Sequence, residues 1–146
     1  ILLKGEEDSF HYFIIDNDQC IGTGRDTTGW SLAGAPALQQ AIDVTAGNGK
    51  LFCATPYSLF SVSLTDNLIE RYSRVTGLSE TGVSAIRFDE AGEKLFIAYS
   101  NSNIDIIYRN DIYNIPDIKR DNIIGDKNVY NIYSFSGNFF LSTGLG

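Results

Sequence analysis

The chain of 146 residues reads as all-β, and three observations predict that. One apolar segment returns at a constant spacing, strand-like segments rich in β-branched and aromatic residues follow one another closely, and almost no stretch carries helical periodicity. Hydrophobic residues at 43% supply a core, and charged residues at 20% are too few for a disordered acidic chain.

The repeat sets the architecture. Lys50-Leu51-Phe52-Cys53-Ala54-Thr55 returns as Lys94-Leu95-Phe96-Ile97-Ala98-Tyr99 and as Asn138-Phe139-Phe140-Leu141-Ser142-Thr143, each copy 44 residues after the one before. Upstream of each lies a second strand-like segment: Ala41 to Val44, Ala85 to Phe88 and Val129 to Tyr133. These pair as hairpins through Ala46-Gly47-Asn48-Gly49, Glu90-Ala91-Gly92-Glu93 and Ser136-Gly137, where Gly or Asn supplies the positive φ of a tight turn. Two more strands follow each complete copy. They are Leu59 to Leu64 and Leu68 to Tyr72 around Thr65-Asp66-Asn67, then Ile104 to Tyr108 and Ile112 to Ile115 around Arg109-Asn110-Asp111. Ala35 to Ile42 is the one segment expected to form a helical turn.

Four short antiparallel strands recurring at this period describe a β-propeller blade, whose sheet buries both faces against its neighbours. An immunoglobulin-like sandwich has strands of similar length but no reason to repeat its sequence three times at a fixed period. The expected fold is a partial propeller occupying residues 31–146, with repeats near 41–84, 85–128 and an incomplete 129–146. Closed propellers use about four to eight blades, so the blades are expected either to form the remainder of a larger ring or to cover their open edges by self-association. A chain that opens on Ile1 and has no methionine is expected to be a processed protein or a fragment. Within residues 1–30, Phe10 to Ile15, Asp16-Asn17-Asp18 and Gln19 to Gly24 read as strand, turn and strand, either a partial blade or an N-terminal extension.

Charge and residue inventory narrow the function. With 11 basic and 18 acidic side chains, a net charge of −7 and no cation run longer than Lys119-Arg120, the chain would be repelled by a phosphate backbone, so no nucleic-acid partner is expected. No apolar run approaches the roughly 20 residues of a membrane-spanning helix. The one histidine, His11, sits in an alternating apolar segment, and with Cys20 and Cys53 far apart it is poor material for a zinc site or a catalytic triad. The two cysteines read as apolar thiols rather than a disulfide. Glu70, Glu80, Asp89, Asp105 and Asp121 form no recognisable glycosidase pair, and Asp89-Glu90-Ala91-Gly92 has the wrong spacing for an Asp box. Asp16-Asn17-Asp18 lacks the glycine and distal glutamate of a calcium loop, and Gly22-Thr23-Gly24 lacks the Gly-Lys of a phosphate loop. No catalytic residue, metal or cofactor is expected, and the inventory permits binding rather than turnover.

Alternate loops of an antiparallel blade emerge at one end, which places Thr55-Pro56-Tyr57, Ser73 to Thr76, Ser100 to Asn103 and Asp117 to Lys127 on a common face. Tyr57, Arg74, Asn101, Asn103, Lys119 and Arg120 are its candidate binding residues, offering stacking, amide hydrogen bonds and cations for acidic sugars or carboxylates. Asn and Ser also serve as ordinary turn formers there.

The stretch Gly77-Leu78-Ser79-Glu80-Thr81-Gly82-Val83-Ser84-Ala85-Ile86, continuing through Asp89-Glu90-Ala91-Gly92 to Lys94-Leu95-Phe96-Ile97-Ala98-Tyr99, resembles the two-component-regulator propeller repeat. Phe96 stands where that repeat usually has Trp, and Ala98-Tyr99 replaces Gly-Thr. Residues 41–146 more closely resemble the N-terminal propeller of PorZ-type surface proteins, through Lys50 to Thr55, Gly77 to Ile86, Ala98 to Asp105 and Ile112 to Arg120. That resemblance implies a secreted, cell-surface, non-enzymatic domain of Gram-negative bacteria, associated with type IX secretion and binding a protein partner or a surface polysaccharide. Relatives of the broader repeat supply the alternative, an extracytoplasmic oligosaccharide-sensing propeller of a hybrid two-component system.

Overall fold

The computed structural model describes residues 2–6, 9–16, 19–24 and 41–145, the first three segments as backbone. The chain divides into two compact units, 1–41 and 42–146. In the first, β1 (Leu2–Glu6), β2 (Ser9–Asp16) and β3 (Gln19–Gly24) form an antiparallel sheet in that order. The hairpin read at Phe10 to Gly24 is β2–β3, and β1 is an added strand whose Lys4, Gly5 and Glu6 carry little β signal. The helical turn expected from Ala35 falls largely outside the described residues, and Ala41-Ile42 is neither helix nor strand.

The second unit holds the blades. β4 (Asp43–Gly47), β5 (Lys50–Ala54), β6 (Leu59–Ser63) and β7 (Ile69–Tyr72) make one four-stranded antiparallel sheet. β8 (Val83–Asp89), β9 (Lys94–Tyr99), β10 (Ile104–Tyr108) and β11 (Asp111–Ile115) make the next. β12 (Val129–Phe135) and β13 (Asn138–Thr143) form a third, two-stranded sheet. Two hairpins close through the residues the sequence offered: Asn48 and Gly49 at φ +50° and +68°, Ser136 and Gly137 at +51° and +76°. Positive φ at both central residues is what a two-residue turn matched to strand twist requires.

Two helical turns in the inter-blade connections correct the expectation that helix is confined to Ala35–Ile42: a 3-10 turn at Arg74–Thr76 and a single α-helical turn, α1 (Asp117–Arg120). Both are too short to show a helical period. α1 follows Pro116, has Asp117 in its first turn and Lys119 and Arg120 in its last, the charge order the helix dipole favours.

Side-chain alternation across the strands builds the blade contacts. Phe52, Ala54 and Leu59 of the first blade join Ile86, Phe88, Leu95, Ile97 and Tyr99 of the second in one buried cluster. Phe52 stacks on Phe88 with ring centroids 5.7 Å apart. The opposite face of the second blade presents Ala85, Phe96, Ala98 and Ile104 to Val129 and Ile132, with Phe96 stacked on Phe139. β8 is an end strand of its sheet, so N–H groups along its free edge need partners from elsewhere. Asp43 Oδ2 accepts from Ile86 N at 2.8 Å, and Thr45 Oγ1 accepts from Phe88 N at 3.1 Å, so β4 side chains satisfy the neighbouring blade's edge.

Candidate functional site

Four segments emerge at the end of the blades opposite the hairpin turns, the β5–β6 loop, the β7–β8 connection, the β9–β10 loop and the β11–β12 connection, and hydrogen bonds join the last three. Their ordering starts from a buried carboxylate. Asp105 is fully buried on β10. Its Oδ2 accepts from Tyr99 Oη at 2.6 Å and Ser79 N at 2.7 Å, and its Oδ1 accepts from Asn114 Nδ2 at 2.9 Å. One charge thereby ties the β7–β8 connection to β9, β10 and β11. Burial, reinforced by the hydrogen bond to Asp105, pushes the Tyr99 phenol well above its ordinary range.

Above this lies a polar layer. Asn114 Nδ2 also donates to Asn103 Oδ1 at 2.9 Å, and Asn103 Nδ2 donates to Glu80 Oε1 at 3.4 Å. Glu80 Oε1 pairs with Lys119 Nζ, joining the β7–β8 connection to α1. The Lys119 ammonium is the main cause that holds the Glu80 carboxyl below its ordinary range. Ser100 N donates to Gly82 O at 2.9 Å, which fixes the β9–β10 loop against the same connection.

The six residues singled out from the sequence fall into distinct places. Asn103 is buried at 3% exposure, with its amide engaged inside the layer. Asn101 is half-buried, and its Oδ1 accepts from Asn103 N at 3.0 Å. Lys119 is brought to both through Glu80. Arg74 is exposed and close enough to act on Glu80 electrostatically. Arg120 is exposed beside Lys119. Tyr57 is 77% exposed on the β5–β6 loop, where Thr55 Oγ1 accepts from Tyr57 N at 3.3 Å and Ser58 N at 3.0 Å. No described hydrogen bond joins Tyr57 to the Glu80 cluster.

Glu80 and Asp105 organise this face, and their roles are invisible in sequence because the bonds that tie the connections together, Glu80 to Asn103 and Lys119 and Asp105 to Ser79, span 23 to 39 positions. Other carboxylates are engaged within their own sheets: Glu70 with Lys50 at 2.7 Å and Tyr72 at 2.9 Å, and Asp89 with Gly92 N at 2.9 Å. Among the described residues no group of His, Cys, Asp and Glu could hold a metal ion, and no helix is long and apolar enough to cross a membrane.

Known proteins carry the same architecture. A solved structure described as PorZ, an essential bacterial surface component of the type-IX secretion system of human oral-microbiomic Porphyromonas gingivalis, is similar at 25% identity and a TM-score of 0.65. The match covers 70% of this chain and 14% of that one. No curated protein matches. The family described as the N-terminal β-propeller domain of PorZ in type IX secretion matches residues 51–146, and this chain therefore belongs to it.

Proposed function

We propose that this propeller is a non-enzymatic binding scaffold of the type IX secretion apparatus on the extracytoplasmic side, presenting its loop face to a protein partner or a surface polysaccharide. Family membership supports the setting. The single observation that carries the binding role is the cross-tied loop face, where the Glu80–Lys119 pair and the Asp105 network join the β7–β8 and β11–β12 connections while leaving Arg74, Arg120 and Tyr57 exposed. A scaffold that holds exposed polar and aromatic groups on ordered loops loses little entropy on binding. Asn101, Asn103 and Lys119 order this surface, and Tyr57, Arg74 and Arg120 make the contacts. Replacing Lys119 and Arg120 by Ala in the full-length protein, then measuring binding to surface polysaccharide and to isolated secretion components, tests the role. Weakened binding to one of them with an unchanged melting temperature is expected; unchanged affinity for all of them refutes it.

A further inference from the structure

We propose that a cavity between the two four-stranded blades binds an aliphatic α-amino acid as its zwitterion, with the side chain among the inter-blade rings, the ammonium at Glu93 and the carboxylate at Arg109. The site opens among the hairpin turns, at the other end of the blades from the loop face, and does not depend on the reading of that face.

The cavity measures about 100 Å³, and every residue lining it belongs to β4 through β11 or to the turns that join them. Both of its walls are therefore complete four-stranded sheets. Phe52, Tyr72, Phe88, Leu95 and Ile107 make it apolar inside. The Phe52 ring is held between two others, its centroid 5.7 Å from that of Phe88 and 6.5 Å from that of Tyr72. Polar groups on the first blade's side are matched among themselves, since Glu70 Oε2 accepts from Lys50 Nζ at 2.7 Å and from Tyr72 Oη at 2.9 Å. An apolar cavity gives water few partners and gains from an apolar guest. At ~30 Å³ for each water-sized group, this one takes about three or four heavy atoms, the side chain of valine or leucine and less than an aromatic ring.

The mouth supplies the charges. Glu93 ends the β8–β9 loop and Arg109 begins the β10–β11 turn, and both are exposed where they line the cavity. They hold φ +50° and +57°, a left-handed region that Gly or Asn occupies at less cost. The chain thus accepts backbone strain at two turn positions and keeps a carboxylate and a guanidinium at one opening. Among the described residues neither makes an ion pair, with the other or elsewhere. The Arg109 guanidinium lies over the Tyr108 ring, 5.0 Å from its centroid. A ligand that answers an anion and a cation at the same mouth carries both charges close together, and an α-amino acid separates them by one carbon. Within a peptide chain the same two groups are neutral amides, so a partner's inserted side chain would leave Glu93 and Arg109 unmatched. A short fatty acid answers Arg109 alone.

The test is calorimetric titration of the full chain with L-leucine, L-phenylalanine, leucinamide, N-acetyl-leucine and N-acetyl-leucinamide. Variants are Glu93→Gln and Arg109→Gln, at exposed turn positions, each checked by far-UV spectrum and melting temperature. Saturable binding of leucine is expected, weakened about tenfold or more when either charge is removed from the ligand, as for a charge-assisted hydrogen bond. Arg109→Gln should weaken leucine by a similar factor and leave leucinamide unchanged, because that ligand has no carboxylate to lose. Glu93→Gln should likewise weaken leucine and leave N-acetyl-leucine unchanged. Binding of N-acetyl-leucinamide as tight as that of leucine would overturn the zwitterion assignment in favour of a partner's side chain. Phenylalanine bound as well as leucine would overturn the size assignment. Leucine binding indifferent to both variants, or no saturable binding of any of the five, would overturn the site.

Discussion

Asp105 shows what one buried charge does to a loop face. All its described partners are hydrogen-bond donors, and the phenol it binds is itself fully buried. Asp105→Ala strands the Ser79 N–H, the Tyr99 hydroxyl and the Asn114 amide together, and should cost about 2–4 kcal/mol in denaturant unfolding. Tyr99→Phe keeps the ring and should cost about 1–2 kcal/mol. The Tyr99 pKa is raised in the folded chain, so its contribution is complete below the unfolded phenol value near 10 and declines as pH climbs above it. Unfolding free energy measured between about pH 9 and pH 11 should therefore fall, and Tyr99→Phe should flatten part of that fall. Glu80 has the opposite sign. Its pKa is lowered by Lys119, so what the pair contributes is present above the ordinary carboxylate value and lost as pH falls through the folded one. Lys119→Ala should move the Glu80 carboxyl resonance titration upward, with a stability change of about 0–1 kcal/mol, as for other surface pairs.

At the scale of strands, the 44-residue repeat made β5, β9 and β13 legible as equivalents, because period-two alternation and Gly or Asn turns are local properties of the sequence. What joins one blade to the next was not legible. Asp43 and Thr45 look like strand-start polar residues, yet each caps an N–H 43 residues away. The repeat places Arg87 at the position of Asp43, so the cap is not itself repeated and leaves no periodic trace. Candidate-site residues were legible as turn formers at one end, whereas Glu80 needed Lys119 beside it, and the short helical turns at Arg74 and Asp117 lay below the length at which a period appears. Gly47 carries the sharpest inter-blade constraint: a Cβ there would sit 1.8 Å from Phe88 Cδ1, on the ring that stacks with Phe52. Gly47→Ala should force that ring out of its stack and cost about 1–3 kcal/mol by overpacking. In a double-mutant cycle with Phe88→Leu the two costs should be markedly less than additive, while simple additivity would show that Gly47 is needed for another reason.

Across the whole second unit, one phenylalanine per repeat tracks how each blade is covered. Phe52 stacks on Phe88 of the next blade and Phe96 stacks on Phe139 of the hairpin after it. Phe140 is the third in the series, and it is 56% exposed, paired across the hairpin with Tyr133 at 55% and sharing a face with Phe135 at 65%. Among the described residues no sheet lies against that face, and β13 has no strand on its outer side. On the hairpin's other side, Ile106, Tyr108 and Tyr113 line an open cleft of about 620 Å³ on the second blade, the outer part of the surface whose inner part packs on β12 and β13. Three exposed aromatic rings together with an unpaired strand edge favour pairing with a like surface. A further blade, in any longer polypeptide that carries one, would occupy the same place. The 146-residue chain is therefore expected to associate in a concentration-dependent manner by sedimentation. Phe140→Asp, which puts a charge at the centre of the aromatic face, should weaken that association by about tenfold or more, as for a central interface anchor. Sedimentation as a monomer up to high protein concentration, with no binding of a dye that reports apolar surface, would refute this. So would association that Phe140→Asp leaves unchanged, because the contact would then lie elsewhere on the chain.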